Sequence, residues 1–177
     1  MLDNAKTNKP TRPDVPRYYR VACHFWSDEK VATWPDSQKL FALYILTTKH
    51  RTVEGFFVLP PQYMAADMGW PLRRVKEMLL KLEAEGFLRF DEKTNLLLVR
   101  NALRYQQPDS PNVQKAVIGR LRNLPDSPEL MNEFLVLARD HCLRSGLSES
   151  ARGFPALLER EFRLVSTDRQ EVARMAV

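Results

Sequence analysis

Cysteine and histidine are scarce in this chain. Its 177 residues hold two cysteines, Cys23 and Cys142, and three histidines, His24, His50 and His141. None falls into the short repeats with Cys, Asp or Glu that close a zinc site. Both cysteines have apolar neighbours and are expected to be buried free thiols in a reducing compartment. His141 and Cys142 are adjacent, and on a helix adjacent residues do not give the facing geometry that base activation of a nucleophile requires. No apolar run approaches the roughly 18 residues of a membrane span. The opening MLDNAKTNKPTRPD lacks the apolar core of a signal peptide. The expectation is a soluble, cytoplasmic protein with no membrane partner. A glycine-rich phosphate loop with its lysine is also missing, which argues against ATP hydrolysis. Asp28-Glu29, Asp91-Glu92 and Glu83 with Glu85 lie in turns or at a helix end, where carboxylates are usually solvated. No catalytic or metal-binding residue and no cofactor is therefore assigned.

What is present is a foldable, basic chain. Hydrophobic residues make up 44%, enough for one domain with a core plus a helical appendage. Lys plus Arg total 27 against 22 for Asp plus Glu, a net charge of +5. Such a balance permits a polyanionic partner without demanding one.

Residues 1–16 are polar, with Lys6, Lys9 and Arg12 among three prolines, and read as a flexible basic arm. Residues 17–34 suggest a short extended lead-in and a turn at Ser27-Asp28. Trp34-Pro35-Asp36 reads as a helix start. A helix is predicted over about 37–48, with Leu40, Leu43, Tyr44 and Thr47 on its inner face. Phe56-Phe57-Val58-Leu59 suits a short strand. A short helix is expected from Pro61 to Met68, closed by Gly69, and a longer one from about Pro71 to Glu85. Leu72, Val75, Leu79 and Leu82 form the inner stripe of the latter, and Gly86 ends it. A hairpin follows, Phe87–Phe90 returning through Leu96–Arg100. Trp70 is expected to plug the core.

Helix, strand, helix, tight turn, helix and hairpin form the order of a winged helix-turn-helix. The predicted fold class is mainly α with a small β wing, a winged helix-turn-helix domain over 17–111. A polar link follows at 101–111, and then a C-terminal helical region over 112–177. Its helices are expected at about 112–124, 128–143 and 154–164. The core of the first unit is assigned to Leu40, Tyr44, Val75, Leu79, Leu82 and Leu97.

Several residues in this segment carry a resemblance. Met64-Ala65 lies in the first helix, Gly69-Trp70 at the turn, Val75, Leu79 and Leu82 in the second helix, and Gly86-Phe87-Leu88 before the wing. This pattern resembles phage and prophage replication proteins of the replisome-organiser, or DnaD-like, group, over about residues 17–112. The resemblance implies a non-catalytic adaptor that binds double-stranded DNA at a replication origin. It also implies recruitment of a replicative helicase or a helicase loader. Composition and periodicity show none of this.

The second helix of such a pair usually enters the major groove. With Val75, Leu79 and Leu82 inward, Arg73, Glu77, Leu80 and Ala84 point outward, flanked by Arg74, Lys76 and Lys81. Arg73 is placed to reach a base edge and the flanking cations to reach phosphates. The wing adds Lys93, with Arg89 and Arg100 at its base, and Lys49 and Gln62 are plausible phosphate neighbours. Glu77, Leu80 and Ala84 suit a protein contact instead. Three readings stay open: DNA contact, protein contact and a solvated face. A dimeric transcription regulator using the same module is the alternative to a replication role. The apolar stripes beyond residue 112 need a partner, either by folding back, with Leu80 and Ala84 as the landing site, or by self-association.

Overall fold

The structure, a computed structural model, describes residues 19–143 and 146–175, with side chains as far as Phe162. The expected arm over 1–16 lies outside the described residues. The lead-in reaches Ala22 in an extended conformation and then turns helical, earlier than expected. A 3-10 turn at Cys23–Trp26 runs into α1, Glu29–Thr33. The Asp28 carboxylate accepts hydrogen bonds from the Lys30 and Val31 amides at 3.0 and 3.2 Å and so caps this helix. Cys23 is exposed, contrary to expectation, and Cys142 is buried. Burial pushes the Cys142 thiol up to about 11.

Next come α2 at Asp36–Thr47, β1 at Phe56–Val58, α3 at Pro61–Met68 and α4 at Leu72–Ala84. The hairpin is β2, Leu88–Asp91, with β3, Leu96–Val99. The three strands form one antiparallel sheet in the order β1-β3-β2. Phe57 pairs with Leu97, and Leu88 with Val99.

β3 is buried along its whole length. Alternate side chains of a strand leave on opposite faces. Leu97 and Val99 join Phe57 and Leu88 in a core with Val75, Leu79 and Leu82 from α4. Leu96 and Leu98 join Phe56 in a second core on the other side. An unbroken Leu-Leu-Leu-Val run is what a strand covered on both faces needs.

The second face is covered by the C-terminal helices. These are α5 at Ala102–Tyr105, α6 at Pro111–Arg122, α7 at Pro128–Cys142 and α8 at Glu149–Met175. The short α5 interrupts what reads in sequence as a polar link, because Ala102 and Leu103 each fill one of the two cores. Val117, Leu121, Phe134, Phe154 and Leu158 complete the second core, and Phe134 stacks on Phe56 with ring centroids 5.5 Å apart. The fold-back therefore happens, but against the sheet. Leu80 stays 66% exposed.

α2 is rotated from its expected orientation. Gln38, Phe41, Ala42 and Ile45 face inward, while Leu40 is 52% exposed and Tyr44 only half-buried. Leu-Phe-Ala-Leu-Tyr-Ile-Leu is apolar all round, so periodicity alone does not choose its inner face. Phe41 does, stacking against Tyr44 and Trp70 at 6.0 and 5.8 Å. Truncating Leu79, which is 3% exposed, to alanine should cost about 2–5 kcal/mol. The same change at Leu40 should stay within about 0.5 kcal/mol. Urea unfolding of both variants checks this pair, and a reversed order would restore Leu40 to the core.

Candidate nucleic-acid interface

α3 and α4 are set by local chemistry. Pro61 opens α3, where a missing amide costs nothing. Gly69 closes it at φ 62°, a left-handed conformation, and the Trp70 amide donates back to the Ala65 carbonyl at 3.0 Å. Pro71 then starts α4. Trp70 is only half-buried. Its ring is not a full core plug but a shelf between Phe41 and Arg74, whose guanidinium lies 4.0 Å from the ring centroid.

α4 buries Val75, Met78, Leu79 and Leu82. Arg73, Arg74, Lys76, Glu77, Leu80, Lys81 and Ala84 are all exposed, as the 3.6-residue repeat predicts. Lys49 and Gln62 are exposed as well. Some of the cations carry partners. Arg73 donates to Glu77 at 2.9 Å, one turn along the helix. Lys76 reaches Glu92 on the hairpin at 3.5 Å. Lys81 and Lys93 carry no side-chain ion pair among the described residues. The hairpin tip is closed by the Asp91 carboxylate, which accepts from the Thr94 hydroxyl at 2.7 Å and the Lys93 amide at 2.9 Å. Those bonds, the Thr94 one foremost, hold the Asp91 carboxyl below the usual carboxylate range.

Arg89 and Arg100 stand apart from this set. Both turn to Glu133 on α7, at 3.6 and 2.9 Å, and Arg89 also meets Glu83 at 3.3 Å. They fasten the base of the hairpin to the C-terminal helices. Sequence spacing carries no signal for Glu133, which lies more than thirty residues beyond either arginine. The same is true of the Glu54–Arg120 pair, whose two bonds of 2.9 and 2.7 Å join the loop before β1 to α6.

Among the described residues no group of three or more His, Cys, Asp or Glu is placed to hold a metal ion. No helix among them is long and apolar enough to cross a membrane. The exposed face of α4 and the adjoining hairpin thus gather five of the seven assigned cations, Arg73, Arg74, Lys76, Lys81 and Lys93, beside two exposed leucines, Leu72 and Leu80. Compared with known protein families, with characterised proteins and with solved structures, the chain matches none.

Proposed function

We propose that the chain is a non-catalytic DNA-binding adaptor of the winged helix-turn-helix class, with α3 and α4 as the paired helices and the β2–β3 hairpin as the wing. The observation that carries this reading is the exposed cationic face of α4 opposite a fully buried apolar one. Arg73, Arg74, Lys76 and Lys81 project from one rod-like element of the width that a major groove admits. The pairs Arg73–Glu77 and Lys76–Glu92 are exposed, and exposed pairs contribute only about 0–1 kcal/mol. Phosphates can replace those carboxylates at little cost. Arg89 and Arg100 act in this reading as the hairpin's anchors to α7.

The resemblance to replisome organisers supports a place in DNA replication, with a helicase or its loader as the protein partner. A motor would then sit in that partner. Leu80 favours a second reading, in which the same face takes a protein instead of DNA. Leu80 is 66% exposed, Leu72 is 39% exposed, and Ala84 lies one turn beyond Leu80.

Fluorescence anisotropy across a salt series separates the two. Duplex binding should weaken steeply with salt as counterions are released, and replacing Lys76 and Lys81 by alanine should lower the log–log slope by about two. The loss should be similar on specific and scrambled duplexes, because phosphate contacts carry little sequence information. Wild-type protein that binds no duplex at low salt, or a double variant that binds as tightly as wild type, would overturn the DNA reading in favour of protein contact.

A further inference from the structure

Arg51 and Glu54 sit three residues apart in the loop between α2 and β1, and both are buried. Glu54 is matched in charge by Arg120. Among the described residues Arg51 is matched only by neutral groups. Its Nη1 donates to the Leu46 carbonyl at 2.7 Å and its Nη2 to Gln106 Oε1 at 3.2 Å. Its guanidinium lies 4.9 Å from the Tyr19 ring centroid. Its Nε is buried and meets no acceptor among the described residues. Burial pulls the Arg51 pKa down from its ordinary value, with no carboxylate to oppose the shift. Even so, a guanidinium stays charged at neutral pH. A buried cation without an anion is an unfavourable arrangement unless an anion reaches it.

Arg51 lines a half-open cavity of about 540 Å³ bounded by the lead-in, α1, the end of α4 and α5. That volume lies within the range of small-molecule sites. Trp34 lines the same cavity, and its Nε1 is a second buried donor with no acceptor among the described residues. Both groups donate and neither accepts, so they call for a ligand rich in acceptors. Phe25, Leu46, Phe87 and Val99 supply apolar wall. Arg20 and Arg104 line the cavity and are exposed. Three carboxylates also line it. Asp28 is engaged in capping α1, and Glu29 and Glu85 are exposed.

We propose that this cavity binds a small organic anion, a carboxylate carried on a flat apolar body. Arg51 supplies the counter-charge and Trp34 a directed hydrogen bond, while the apolar wall covers the body of the ligand. The apolar wall disfavours a polyphosphate, which would need more donors than are buried here. The site does not depend on DNA binding by α4.

The probe is 1-naphthoate, and the control is 1-naphthamide, which has the same ring system and no charge. Binding is read from the indole N–H resonance of Trp34, assigned with a Trp34→Phe variant. Naphthoate at up to millimolar concentration should move that resonance saturably, and naphthamide should bind about tenfold more weakly or worse, as expected for loss of a charge-assisted hydrogen bond. Arg51→Met should lose a similar factor, and Arg51→Lys should retain part of the affinity. A Trp34 resonance that does not move, or equal affinity for naphthoate and naphthamide, would overturn the proposal. The comparison of the two ligands on the wild-type chain decides the matter even if the Arg51→Met variant does not fold.

Discussion

Replacing Phe134 by alanine should lower the stability of the chain by about 3–5 kcal/mol, the usual cost of emptying a fully buried aromatic site. Phe134 is 0% exposed and lies at the centre of the second core. It touches Phe56 of β1, whose backbone neighbour Phe57 belongs to the first core. The cavity would therefore weaken the seam between the C-terminal helices and the sheet, besides α7 itself. Loss of this seam should appear at both ends of the molecule. Urea unfolding followed by tryptophan fluorescence reports the first core, which contains Trp34. Labelling of Cys142, buried in the second core, reports the other. Both midpoints should fall together. If the cysteine becomes reactive while the tryptophan transition stays in place, the two cores unfold separately and the sheet does not couple them.

Gly55→Ala should be as damaging, by a different route. Gly55 sits just before β1 at φ 70°. A non-glycine residue there adopts the left-handed region at about 1–2 kcal/mol. Its backbone is also used, since the Gly55 carbonyl accepts from the Val99 amide at 2.8 Å. An added Cβ would stand 2.2 Å from Cβ of Ala102, a contact that neither side can relieve by changing rotamer. Overpacking of this kind costs about 1–3 kcal/mol further. The expected total is about 2–5 kcal/mol, measured as a fall in thermal midpoint and free energy. Gly69→Ala is the control, because it shares the positive φ but has nothing within 4 Å of the new Cβ. Equal losses at the two positions would mean that the approach of Ala102 is immaterial.

The pair of glycines also shows how far the sequence could be read. Gly69 announces itself, lying after a helical stretch and before Trp-Pro, where a left-handed cap is needed. Gly55 is just as constrained, but the cause is Ala102, forty-seven positions later. The same division runs through the candidate interface. The exposure of Arg73, Arg74, Lys76 and Lys81 follows from the buried stripe of Val75, Leu79 and Leu82, but Leu72, assigned to the same stripe, is 39% exposed at the first turn of α4, and Met78 is buried in its stead. The engagement of Arg89 and Arg100 by Glu133 depends on where α7 comes to rest.

Local sequence determined the order of elements from α2 to β3, the proline and glycine positions that bound α3 and α4, and the two faces of α4, whereas Asp36 makes no capping bond to α2. Those features depend on residues three or four apart and on the φ limits of proline and glycine. It did not determine which side of α2 faces inward, because that helix is apolar on every side. Nor did it show where the C-terminal helices would pack. Leu80 and the far face of the sheet were both apolar landing places, and periodicity weighs neither against the other. The sheet prevailed because Phe56, Leu96 and Leu98 present a continuous apolar surface to Phe134 and its neighbours, and burial scales with the area removed from water. That packing left Leu80 outside, 66% exposed.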